Sequence, residues 1–194
     1  VEIPANALYG INTLRAFENF QMSGRTLAEY PEIIRAHAMV KWAAADANQQ
    51  LGSLPSKKAK AIRAACQALI DGRHHDAIII DPIQGGAGTS TNMNANEVIA
   101  NLALIELGEM PGNYAALHPN NDVNMSQSTN DVYPTALRLA TIFATYKLIA
   151  ALGRLADSFA SKGRQFSDIL KIGRTQLQDA VPMTLGQEFN AYAI

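Results

Sequence analysis

The chain has 194 residues, of which 48% are hydrophobic and 17% charged, with a formal net charge of -1. That is enough apolar material to bury a real core, in one domain or two small ones, and it excludes a disordered tail. The near-neutral balance excludes the basic signature of a nucleic-acid or anionic-lipid binder.

No continuous apolar run approaches the ~20 residues of a bilayer span, so no membrane partner is expected. The single cysteine, Cys66, excludes an internal disulfide. It reads as a small core residue on a helix, and the lack of disulfides fits a reducing, cytoplasmic setting. Val1 is not a methionine and Ile194 falls inside a helical pattern with no stop residue. A longer parent protein is therefore expected.

Residues 1–12 read as irregular, with Pro4 and Gly10 as breakers and a short strand at Val1–Ile3. Pro31 suits the first position of a helix reaching Gln50, with Ile34, Ala38, Val40, Ala44 and Ala47 on its apolar face and Gly52 as its stop. A second helix is predicted over Ser56–Asp71, with Ala59, Ile62, Cys66 and Leu69 on one stripe. The adjacent His74 and His75 cannot share one face, so they read as solvated loop residues rather than metal ligands. An extended element is expected around Ile78–Ile80, then a helix over Asn92–Leu107 ended by Gly108. Leu137, Ala140, Ala144, Leu148, Ala151, Leu155 and Phe159 recur at intervals of three and four residues. That spacing predicts a long helix with a bundle seam. Thr184 and Gln187 match the capping box of a last helix.

Three polar segments lie where helices begin. In residues 85–94, three glycines precede Thr89, Ser90 and Thr91. Such a turn can expose amides and hydroxyls to an anion at a helix N-terminus, and it can equally be a plain helix cap. No lysine follows the glycines as a phosphate-binding P-loop requires. Residues 118–131 are dense in amides and hydroxyls able to fix a carboxylate by directed hydrogen bonds. Ser128 and Asp131 also suit helix caps there, and Pro134 should distort the turn that follows. In residues 171–184, a polar loop carries Arg174, Thr175 and Gln176 towards the last helix. No metal-ligand spacing and no hydrolase elbow is present. The remaining pattern suits a small, highly oxygenated anion.

At these segments the chain resembles the aspartase/fumarase superfamily. The carrying stretches are GGAGTSTNMNANEVIAN (85–101), HPNNDVNMSQSTNDVYPT (118–135) and KIGRTQLQDAVPMTLGQEF (171–189), with IPANALYGINTLRAFENF (3–20) at the start. Ser90-Thr91 and Gln176 resemble aspartases; class II fumarases usually carry Gln-Ser and histidine there. The resemblance implies a mainly α fold: an N-terminal, mostly helical lyase domain over 1–125 and the start of a long-helix bundle over 126–194. It implies reversible deamination of L-aspartate to fumarate through an enediolate, without a cofactor, in a cytoplasmic homotetramer. Thr89, Ser128 and Thr129 would bind the side-chain carboxylate, Thr175 the α-carboxylate, and Asn130 and Gln176 would lie near the amino group. His118, Asn120 and Asn121 match a peripheral anion site of fumarases. The serine base of the family, on a glycine-rich loop with a lysine nearby, matches nothing in these residues, so no catalytic residue is expected here. The competing readings are a class II fumarase-type hydratase and a catalytically silent helical assembly module.

Overall fold

The computed structural model describes residues 2–194, and the architecture is mainly α, with one two-stranded sheet. The chain divides into two compact units, residues 1–142 and 143–194. This division falls inside a long helix, whereas the sequence boundary at 125/126 falls just before that helix begins.

In the first unit, α1 (Ile11–Asn19) begins at Gly10, which offers no capping side chain of its own. The sequence treated this stretch as irregular up to residue 12. The strand expected at Val1–Ile3 does not form at Glu2 and Ile3, and Val1 lies outside the described residues. Helix α2 (Pro31–Gln50) starts at its proline as predicted. Its buried stripe, however, runs through Ile34, His37, Ala38, Lys41, Ala45 and Asn48. Ala47 is exposed and Val40 and Ala44 are only half-buried, so the predicted face was rotated. Helix α3 (Ser56–Ile70) buries Ala59, Ile62, Cys66 and Leu69 as expected, and Cys66 is a free, buried thiol.

Helix α4 (Thr89–Glu106) is the centre of this unit, packed on α1, α2 and α3. It starts three residues earlier than predicted, which brings Thr89, Ser90 and Thr91 into its first turn. Ile62, Ile80, Ile99 and Leu104 are fully buried around it. Each such side chain contributes about 1.5–3 kcal/mol, so packing rather than helix propensity holds the unit.

Polar side chains of α4 tie irregular segments to it. The Glu97 carboxylate, 0% exposed, accepts hydrogen bonds from the backbone amides of Gly10, Asn12 and Thr13 and from both the Asn12 amide and the Thr13 hydroxyl side chains. It supplies from a distant helix the N-terminal cap that α1 lacks. Asn94 accepts from the Ile79 amide and donates to the Ala77 carbonyl. The extended element expected at Ile78–Ile80 forms no strand; the Ile80 and Ile78 carbonyls instead accept from Leu27 and Ala28 in a short 3₁₀ turn (Leu27–Glu29).

A π-helical turn at Pro119–Val123 leads to α5 (Thr129–Gln165), whose interior contains Pro134 without a break in the helix. An 18-residue window of α5 has mean hydropathy 1.4, long and apolar enough to cross a bilayer by length and composition, with 11% of it buried. No unbroken apolar run marks it in the sequence, because Thr141, Thr145, Lys147 and Arg154 interrupt the apolar residues.

In the second unit, the stretch read as a polar loop is a β-hairpin of β1 (Leu170–Thr175) and β2 (Gln178–Thr184), paired antiparallel. Gln176 and Leu177 form its two-residue turn, both with positive φ (49° and 64°), the conformation that matches the twist of hairpin strands. Helix α6 (Leu185–Tyr192) follows. The predicted capping box is present: Gln187 N donates to Thr184 Oγ1 at 3.1 Å and Thr184 N to Gln187 Oε1 at 2.9 Å. Phe159, Phe166, Phe189 and Tyr192 stack edge-on or tilted beside it.

Candidate functional site

The glycine turn and the start of α5 meet in the first unit. Gly86 and Gly88 both have positive φ (83° and 85°), a backbone that glycine adopts without strain. Gly88 lies directly against the Tyr133 ring, leaving no room for a Cβ. The turn therefore delivers α4 with its first-turn amides free of any capping side chain. Pro82, Gln84, Gly86, Ala87 and Gly88 line a cavity of about 230 Å³ together with Asn130, Tyr133 and Pro134.

The predicted residues take different places around it. Thr89 is the first residue of α4 and is exposed. Ser90 opens instead onto a separate hollow beside α1, with Arg15, Asn19 and Phe20. Ser128 is exposed and caps α5, its Oγ accepting from Asn130 N at 3.2 Å. Thr129 is half-buried, and its Oγ1 accepts from Asn92 Nδ2 at 3.1 Å. Asn130 is exposed on the cavity wall. Thr175 and Gln176 belong to the second unit, at the hairpin tip, where both are exposed and Thr175 pairs with Gln178.

Much of the polar density in residues 118–127 serves the backbone. His118 Nδ1 accepts from the amides of Asn120 and Asn121, capping the π turn. The Asp122 carboxylate accepts from His118 N at 2.7 Å and pairs with Lys58 Nζ at 2.8 Å.

Beneath Thr129 lies a buried polar network whose α2 and loop members the sequence reading did not single out. Lys41 Nζ, on a residue 0% exposed, donates to Asn124 Oδ1 at 2.7 Å. The same oxygen accepts from Asn92 Nδ2 at 3.1 Å and Asn96 Nδ2 at 3.3 Å. Asn124 Nδ2 donates to the Gln127 carbonyl at 3.0 Å. The Oδ1 atoms of Asn92 and Asn96 and the Oε1 of Gln127 are buried without a protein partner. Burial lowers the Lys41 ammonium to about 7. Burial, aided by the Lys41 charge, holds His37 near 4, so this imidazole is neutral at physiological pH. Burial likewise pushes the Cys66 thiol up to about 12, which makes it an inert core group. The signal that could have revealed the network is the spacing of His37, Lys41 and Asn48 with Ile34 and Ala45 on one helical face.

Chemically, the cavity wall offers the side-chain amides of Gln84 and Asn130 and the Tyr133 hydroxyl, with no acidic residue among its lining. Such a surface suits a carboxylate.

The chain matches a family model described as lyase over residues 1–194, and it belongs to that lyase family. The aspartate ammonia-lyase of Pseudomonas aeruginosa is 61% identical over 193 residues, covering 100% of this chain and 41% of that protein. A solved fumarate lyase:delta crystallin structure from Brucella melitensis aligns with a TM-score of 0.94 at 58% identity, covering 100% of this chain and 42% of that one. The class II fumarase of Schistosoma mansoni aligns at 0.87 and 37% identity, over 100% of this chain and 40% of that one. The chain spans about 40% of the length of the curated relatives it matches. The resemblance to aspartases seen in the three motifs thus extends over the whole chain.

Proposed function

We propose that this chain forms part of an aspartate ammonia-lyase, which converts L-aspartate reversibly to fumarate and ammonia. The carrying observation is the cavity that joins the Gly86–Gly88 turn to Asn130, beside Ser128 and Thr129 at the start of α5. The 61% identity to an aspartate ammonia-lyase supports this substrate over malate.

In this reading a base outside these 194 residues removes a Cβ proton of aspartate. The electron pair moves into the side-chain carboxylate, giving a dianionic enediolate. It then returns to form the Cα–Cβ double bond as the C–N bond breaks and ammonia leaves. Thr89, Ser128 and Thr129 hold the side-chain carboxylate on which the charge grows, aided by the α4 amides. Asn130 and Gln176 lie near the amino group, and Thr175 near the α-carboxylate. Gln176 is an amide and cannot exchange a proton near neutral pH, so its part is to hydrogen-bond the amino group.

The exposed apolar side chains of α5 support a homotetramer in which this helix packs in a bundle with other copies rather than in lipid. Arg138, Lys147 and Arg154 interrupt that helix at intervals suited to water rather than to hydrocarbon. A cytoplasmic enzyme without nucleic-acid or membrane partners is the corresponding setting.

The test is fumarate formation from L-aspartate by the full-length protein, with ammonia measured in parallel. Stoichiometric fumarate and ammonia are expected. Fumarate from malate, with none from aspartate, would overturn the proposal in favour of a fumarase.

A further inference from the structure

Three polar side chains beneath Thr129 lead to it in a line in which each hydrogen bond fixes the direction of the next. In its ammonium form Lys41 Nζ has only hydrogens to offer the atom it meets, and that atom is Asn124 Oδ1, 2.7 Å away. The Asn124 amide nitrogen is engaged on its other side by the Gln127 carbonyl at 3.0 Å, which holds the same orientation. Asn124 Oδ1 can therefore only accept, so Asn92 turns its Nδ2 towards it at 3.1 Å. The second Nδ2 hydrogen of Asn92 reaches Thr129 Oγ1, also at 3.1 Å. Thr129 accepts that bond, and its own hydroxyl hydrogen remains to be donated elsewhere.

The arrangement carries a cost that ordinary packing would not select. It leaves the Oδ1 atoms of Asn92 and Asn96 buried with no protein partner, and it places a lysine at 0% exposure. A core residue of similar volume, such as methionine, would cost less to bury.

We propose that Lys41 is a positioning residue for the candidate carboxylate site: through Asn124 and Asn92 it sets the polarity of the network so that Thr129 must donate its hydroxyl hydrogen to a bound carboxylate. This rests on the reading of Ser128–Asn130 as a carboxylate site and deepens it. Lys41 acts through its neighbours and does not touch the substrate.

The experiment is a double-mutant cycle on fumarate affinity, measured by titration calorimetry with the full-length protein, using Lys41→Met, Thr129→Ala and the double variant. Lys41→Met is expected to weaken fumarate binding about tenfold with Thr129 present, and less than about twofold in the Thr129→Ala background. Its melting temperature should be no lower than that of the parent. The desolvated ammonium is gone, and the released Asn124 amide can turn over and give its Nδ2 to the unpartnered Oδ1 of Asn92 or Asn96, so no polar group is stranded while the polarity is lost. A purely structural lysine would show the reverse, a lower melting temperature with unchanged affinity, and that result overturns the proposal. Equal losses in both backgrounds also overturn it. Should Lys41→Met not fold, Asn92→Leu cuts the same line one residue nearer Thr129 and carries the same cycle. An intact cycle in a protein that releases no ammonia from aspartate would overturn the aspartate reading and leave the polarity assignment standing. A parent protein that does not bind fumarate overturns both.

Discussion

The two compact units put similar side chains to opposite uses. In residues 1–142, Ile62, Ile80, Ile99 and Leu104 are sealed in a core around α4. In residues 143–194, Leu148, Ile149 and Leu152 are 57%, 59% and 52% exposed on α5. The difference also shows in their polar groups. The first unit buries Glu97, Lys41 and several asparagines, whereas in the second Lys171 pairs with Glu188 in a part-exposed salt bridge. A unit that can bury charge has completed its own core. A helix that leaves leucine and isoleucine in water has a face built for a neighbour.

Removing the central carboxylate is the most severe way to break this contrast. Glu97→Ala strands the amides of Gly10, Asn12 and Thr13 and should cost about 4 kcal/mol or more in urea unfolding, with α1 detached first. A comparable effect in the second unit should come from assembly instead of folding. Leu148→Glu with Leu152→Glu is expected to lower the mass of the full-length protein in light scattering, while the far-ultraviolet circular dichroism stays helical.

Gly88→Ala adds a Cβ against the Tyr133 ring at a φ of 85° and should cost about 2–3 kcal/mol. Fumarate affinity should fall with it, because the turn shapes the cavity wall.

The pH dependence of the first unit follows from His37. Its folded value, about 4, lies below the ordinary 6.5 of the unfolded chain, so the unfolded state binds the extra proton between these limits. His37 should therefore make stability fall as pH drops from 6.5 to 4, by at most about 1.4 kcal/mol per pH unit. Chemical unfolding across that range should show a slope shallower by one proton in His37→Phe. The smallest expected effect lies at the hairpin tip. Leu177→Gly relieves a left-handed backbone at φ 64° and should stabilise the second unit by about 0.5–1 kcal/mol in thermal melts.

Periodic helices were legible in the sequence because their signal is local. The stripe Ala59, Ile62, Cys66 and Leu69 on α3, and the Thr184–Gln187 capping box of α6, depend only on neighbours three or four residues away. The buried face of α2 was misread for the same reason. His37, Lys41 and Asn48 look like solvent residues until partners on other elements satisfy them, as Asn124 does for Lys41 and the Met125 carbonyl for Asn48. The hairpin was missed because its turn uses Gln176 and Leu177 where local rules expect glycine or asparagine.

For the candidate site, the sequence by itself determined the chemistry: a glycine turn into three hydroxyls, a run of amides and hydroxyls before α5, and no acidic or metal-binding cluster among them. Only the tertiary structure decided which of those groups serve the backbone and which are free. His118 is spent on a π turn, whereas Ser128 and Thr129 each accept a hydrogen bond that leaves their own hydroxyl hydrogen available. The physical reason is that a hydrogen bond has direction, and its direction is fixed by residues tens of positions away. A sequence shows which donors and acceptors are present, and folding alone sets which way each one points.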